Sequence, residues 1–153
     1  MKGGKKMQVK DCMCKEIYFV KEETNIYDVS KIMNENKIGS VVICDTNNKA
    51  CGIVTDRDIV IRGIANGNDI RKTQVKEIMS TNICTCGSED RLTDVEKKMG
   101  DWQIRRLPVC NKDDEPIGFI SFGDIAKNSK QINNYEVIST IEKICCDCVK
   151  ENK

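Results

Sequence analysis

Hydrophobic positions along the chain change spacing several times, and they do so twice in the same order. Ile26, Val29 and Met33 fall at i, i+3 and i+7, the spacing of one face of an amphipathic helix, and Leu92, Val95 and Met99 repeat it. An apolar run too short for a helix follows in each case, Ser40–Cys44 and then Leu107–Cys110. The polar turns Asp45-Thr46-Asn47-Asn48 and Asn111-Lys112-Asp113-Asp114 close these runs, which predicts a hairpin. The second hairpin strands, Gly52–Thr55 and Gly118–Ser121, run straight into helices starting at Asp56 and Phe122. Ahead of each helix a short extended piece, Ile17–Val20 or Ile83–Cys86, leads into a polar cluster with helix-start character, Glu22–Asn25 or Ser88–Arg91. The predicted order is β-α-β-β-α, written twice, an α/β fold of the mixed α+β kind. Farther on, Ile138, Ile141, Ile144 and Cys145 recur at helical spacing within Tyr135–Val149. They predict a C-terminal amphipathic helix whose stripe either covers the module or packs on a partner subunit.

Sliding the sequence against itself by 66 residues shows that the doubling is a true internal repeat. Asp11–Ile59 aligns with Glu77–Ile125 without a gap, and 12 of the 49 pairs are identical, among them Met13/Met79, Gly52/Gly118, Asp58/Asp124 and Ile59/Ile125. The chain accordingly divides at the sequence level into a first motif (8–69), a second motif (70–128) and a C-terminal helix and tail (129–153).

Composition narrows the function classes. Charged residues make up 32% and hydrophobic residues 39%, an ordinary balance for a folded soluble domain. The net charge is +1, and neither half carries the basic excess of a nucleic-acid footprint, so no nucleic-acid partner is expected. No apolar run approaches the roughly 20 residues a bilayer span needs. The basic start, Met1–Lys6, is followed by polar residues and not by an apolar signal core. The expected compartment is the cytoplasm, with no membrane partner. Histidine is absent, which removes Ser-His and Cys-His catalytic arrangements, and no phosphate-binding P-loop is present. A non-enzymatic protein is the expectation.

The chemistry-bearing segments are Gly52-Ile53-Val54-Thr55-Asp56-Arg57-Asp58-Ile59 and Gly118-Phe119-Ile120-Ser121-Phe122-Gly123-Asp124-Ile125. Each is a glycine, an apolar strand, then Ser/Thr-x-x-Asp opening a helix. Amides at a helix N-terminus attract phosphate, and the cap hydroxyl adds a hydrogen bond. An aspartate one turn later accepts two hydrogen bonds, as the cis-diol of a ribose offers. The glycine lets backbone come close to a flat ring. Ser/Thr-x-x-Asp is equally a capping box, which serves the helix alone. Its occurrence twice, at matching positions of a repeat, favours a paired site.

With these motifs the sequence resembles tandem CBS-domain proteins, or Bateman modules. It is similar in particular to small stand-alone bacterial two-CBS proteins of the hypoxic-response type, which share a Thr-Asp-Arg-Asp-Ile-Val run like Thr55–Val60. Arg106-Leu107-Pro108-Val109 and Glu77-Ile78-Met79 belong to the same resemblance. It implies two motifs packed through their sheets with pseudo-twofold symmetry, leaving two clefts for an adenosyl ligand: AMP, ADP, ATP, NAD or S-adenosylmethionine. No further cofactor is required. It also implies Thr55 and Ser121 on phosphate, Asp58 and Asp124 on ribose, adenine near Ile17 and Ile83, and a homodimer whose halves shift on ligand binding. The regulated partner protein is not encoded in these motifs.

The two copies differ where charge matters. Gly39-Ser40 in the first aligns with Arg105-Arg106 in the second, so an arginine pair can reach phosphate in one cleft only, and Arg57 stands beside Asp58 in the other; simple surface solvation is the alternative for all three. Unequal sites are expected. The ten cysteines include Cys12-x-Cys14, Cys84-x-Cys86 and Cys145-Cys146-x-Cys148. Reduced thiols are the plainer reading. Only Cys145 and Cys148 have metal-pair spacing and no second such pair completes a set, so no metal site is assigned. The alternative function is a structural or redox- and metal-responsive module in which the nucleotide clefts are vestigial.

Overall fold

Val41, Val42 and Ile43 make a branched apolar run with polar turns on both sides, and it becomes the middle strand of a sheet. The computed structural model describes residues 7–128 and 134–145, with backbone only for 134–138 and 145. In it, β1 (Phe19–Lys21) pairs parallel with β2 (Ser40–Cys44), and β3 (Ala50–Thr55) pairs antiparallel on the other side. All five residues of β2 are buried, as expected for a strand covered on both faces. The crossover between the parallel strands is α1 (Ile26–Asn36), started by the Asn25 side chain accepting from the Asp28 amide at 2.8 Å. Its inward residues Ile26, Val29 and Met33 pack with Val41, Ile43 and Val54. β3 leads into α2 (Asp56–Asp58), which widens at once into a π-helix, Ile59–Ile64.

The second copy repeats this order with β4 (Cys86–Gly87), α3 (Leu92–Trp102), β5 (Arg106–Cys110), β6 (Pro116–Ser121) and α4 (Phe122–Lys127). Leu92, Val95, Met99, Leu107, Val109, Ile120 and Ile125 form its core. β4 is one residue shorter than β1, and Pro108 supplies the reason. In the first sheet the Val42 amide donates to the Tyr18 carbonyl at 3.3 Å. Pro108 holds the equivalent place and has no N–H to donate.

The chain packs as two compact units that cut across the repeat. The first holds Ile17–Ile83 with Lys112–Pro116; the second holds the leader through Glu16, Cys84–Asn111 and the residues from Ile117 onward. Each unit therefore takes its leader from the other motif. Val75 and Ile78 are buried among Ile26, Val41 and Ile43, whereas Val9 is buried among Leu92, Leu107 and Val109. Equivalent backbone bonds hold both leaders: Val75 to Thr24 (2.7 Å) and Lys76 to Glu22 (3.2 Å), and likewise Val9 to Asp90 and Lys10 to Ser88 (both 2.9 Å). The sequence boundaries 8–69 and 70–128 follow the repeat; the packing boundaries do not.

α5 (Asn134–Cys145) lies in the second unit against α3. Gly100 makes room for it: a Cβ there would stand 3.2 Å from Lys143 Cδ and 3.8 Å from Thr140 Cγ2. Thr140 is buried and Ile144 packs on the core, while Ile141 remains 42% exposed. Of the stripe that the spacing predicts, Ile144 packs on the core of its own unit and Ile141 does not, while the side chains of Ile138 and Cys145 and residues 146–149 lie outside the described residues.

Candidate functional site

Each Ser/Thr-x-x-Asp segment forms a complete capping box. The Thr55 N–H and hydroxyl both donate to Asp58 Oδ2, at 2.9 and 2.8 Å, and the Asp58 N–H donates back to Thr55 Oγ1 at 3.2 Å. Ser121 and Asp124 reproduce this at 2.9, 2.6 and 3.2 Å. The pairing follows from chain direction: the strand delivers the hydroxyl in extended geometry, and the helix returns the aspartate one turn later. Only one carboxylate oxygen is used in each box. Oδ1 of Asp58 and Oδ1 of Asp124 lie outside it, both on half-buried residues. The cap and ligand readings thus share one aspartate, an oxygen for each.

The sites differ in their amides. In the first, the Asp56 N–H donates to the Gly39 carbonyl (3.1 Å) and the Arg57 N–H to Asp56 Oδ1 (2.8 Å), so with the Asp58 N–H in the box the first turn is satisfied. In the second, the Phe122 N–H donates to the Arg105 carbonyl at 2.7 Å, and the Gly123 N–H has no partner among the described residues. The bond from Phe122 also sets exposed Arg105 beside the second box. Arg106, the first residue of β5, is exposed too. The second site thus has an open amide beside exposed Arg105, whereas the first-turn amides of the first site are satisfied and its exposed arginine stands on the helix itself. Arg57 is exposed, and Ile17 and Ile83 are half-buried residues outside the strands.

The glycines serve a different purpose from the one their sequence suggests. A Cβ on Gly52 would fall 2.5 Å from Met79 Sδ, and one on Gly118 would fall 2.6 Å from the Cys14 carbonyl. The exchanged leaders fill that space, not a ligand ring. Ser80 and Ile53 trade amide–carbonyl bonds of 2.9 and 3.0 Å there, as do Cys14 and Phe119 at 2.8 and 2.9 Å.

Sequence reasoning passed over Arg62. Its Nε lies 3.7 Å from Asp58 Oδ1, while Nη1 donates to the Ile78 carbonyl at 3.1 Å and to Ser80 Oγ at 3.3 Å. The repeat hides it, because the residue 66 positions on is Asn128, whose side chain donates to the Asp124 backbone carbonyl at 2.8 Å. An i, i+4 charge pair was the only signal available.

Burial raises the thiol pKa of Cys12, Cys51 and Cys84, and pushes that of Cys86 up to about 12. Among the described residues no three cysteines or carboxylates gather to hold a metal. Cys148 and the side chain of Cys145 lie outside the described residues. Among the described residues no helix is long and apolar enough to cross a membrane.

Comparison with known proteins agrees with this architecture. The CBS domain matches residues 9–63 and 75–130. The CBS domain-containing protein YhcV of Bacillus subtilis is 31% identical over 136 residues, covering 89% of this chain and 94% of its own. The crystal structure of Hypoxic Response Protein I, solved with two coordinated zinc ions, superposes with a TM-score of 0.73 at 28% identity, covering 79% of this chain and 98% of that one. A CBS domain pair solved in complex with 5′-methylthioadenosine and S-adenosyl-L-methionine superposes with a TM-score of 0.72 at 25% identity, covering 83% and 98%. With two matches, each containing its own Ser/Thr-x-x-Asp box, the chain belongs to the CBS-domain family and carries two CBS domains in tandem.

Proposed function

We propose that this protein is a non-catalytic regulatory module that binds adenosyl ligands at its two boxes and signals by a ligand-dependent change of shape. One observation carries the reading: in each box half of the aspartate serves the helix, leaving Oδ1 to accept from the 2′- and 3′-hydroxyls of a ribose. A related CBS pair holding two adenosyl compounds supports the ligand class. Phosphorylated ligands (AMP, ADP, ATP, NAD) suit the second site, where the Gly123 amide and Arg105 are at hand. The first site, with its amides satisfied, suits ligands recognised through ribose and base. We further propose that the module works as a homodimer acting on a separate partner protein.

Thermal denaturation with AMP, ATP, NAD and S-adenosylmethionine tests the reading. A ligand at 100 times its dissociation constant adds about 2.7 kcal/mol, a rise of roughly 5–10 °C for a chain of this size. Asp58→Asn and Asp124→Asn keep the side-chain shape and a cap acceptor, so each should lose its share of the rise while retaining its own transition. Equal rises in wild type and both variants would overturn the assignment.

A further inference from the structure

Asp58 and Asp124 make the same cap, yet among the described residues only Asp58 has a cation on its second oxygen. Arg62, one turn on, holds Oδ1 at 3.7 Å and reaches with Nη1 to the Ile78 carbonyl and the Ser80 hydroxyl, both on the leader contributed by the second motif. Asp58 is 17% exposed at its side chain and Arg62 is 49% exposed, so the pair sits at the mouth of the site, not in the core. Asn128 and Cys14 occupy the equivalent places in the second unit. The Asn128 side chain is turned to a backbone carbonyl, and Asp124 has no ion pair among the described residues.

We propose that Arg62 is a positioning residue that latches the first site: ribose hydroxyls and the Arg62 guanidinium compete for Asp58 Oδ1. Binding at the first site frees Arg62 and slackens its hold on the Ile78–Ser80 leader. The second site has no such competition and fills first. This rests on the nucleotide-site reading above and adds to it an order of filling and a mechanical consequence. Adenosine is the probe, because it presents ribose without phosphate, and the arginine charge then acts only through Asp58.

Calorimetry in the Asp124→Asn protein isolates the first site. There Arg62→Ala should tighten adenosine binding by roughly 2- to 5-fold, the scale of an exposed ion pair removed. Arg62→Lys, which keeps the charge, should return the affinity close to that with arginine. Hydrogen exchange gives the second readout: adenosine should speed exchange of the Ser80 amide in the Asp124→Asn protein, and Arg62→Ala should show the faster rate before ligand is added. A merely structural arginine would lower the unfolding midpoint without raising affinity, and that result overturns the latch. Unchanged affinity in Arg62→Ala, with adenosine binding still lost in Asp58→Asn, also overturns the latch while the site reading stands. No adenosine binding at either site removes both.

Discussion

Asp58 and Asp124 each spend one carboxylate oxygen on the helix cap and, on the proposed reading, offer the other to a ribose, so their variants need an acceptor left in place. The glycines before them carry no such double role, and their substitution tests packing alone. At Gly118 an added methyl group meets the Cys14 backbone carbonyl at 2.6 Å, which moves only with the leader; at Gly52 its nearest contact is Met79 Sδ at 2.5 Å, in a side chain that can turn, and the Ser80 carbonyl is farther off at 3.2 Å. Gly118→Ala should therefore destabilise by about 2–3 kcal/mol and Gly52→Ala by about 1 kcal/mol, within the range for overpacked sites. Urea denaturation of the two variants checks the order, and equal losses would contradict it. Cys86 offers a test in pH. Its thiol is held neutral chiefly by burial, with Asp90 adding repulsion, and titrates near 12 against an ordinary 9.0. The folded state favours the protonated form, so this contribution is intact below about pH 9 and is lost as the pH rises toward 12. Cys86→Ala should flatten the alkaline fall in stability, read as urea midpoints from pH 8 to 11. In the native wild type a thiol reagent at pH 8 should label exposed Cys14 well before Cys86.

Among the elements, those governed by local periodicity were legible in the chain. α1 and α3 carry an apolar stripe, β2 and β5 are short branched runs, and the hairpin turns end in Asn48 and Asp114 at φ 63° and 64°, residues that tolerate the left-handed region. The capping boxes were legible because they lie within four residues. Partner choice was not. Gln8-Val9-Lys10 recurs as Gln74-Val75-Lys76, which shows that the leaders are equivalent but not which core each enters. The pattern reads the same with leaders kept or exchanged. Arg62 escaped for the converse reason, since comparing copies draws the eye to what they share and the latch exists in one copy only. The short β4 was readable in principle, because a proline in a central strand removes one rung from the neighbouring pair.

For the whole molecule, exchange of leaders means that neither motif completes its own core. The exposed segment around Gly67 (φ 76°) joins the motifs. A chain cleaved there leaves Val75 buried in the body of the first motif and Val9 in that of the second. The two fragments should therefore elute together under native conditions and melt in one transition. Separation without denaturant would show that the exchanged contacts are too weak to hold them. Expressed separately, 1–69 and 70–153 should each lack a cooperative transition and recover it on mixing.

The crossed leaders also bear on how such a chain came about. A lone motif of half this length would have a hole where Val9 or Val75 belongs, and trading arms with an identical neighbour would close it. Fusion of two such neighbours through the stretch near Gly67 gives the present topology with no strand rethreaded. The halves differ today, the first carrying Arg62 and the second Arg105 and Arg106, and each is bound to its twin by the arm it lends.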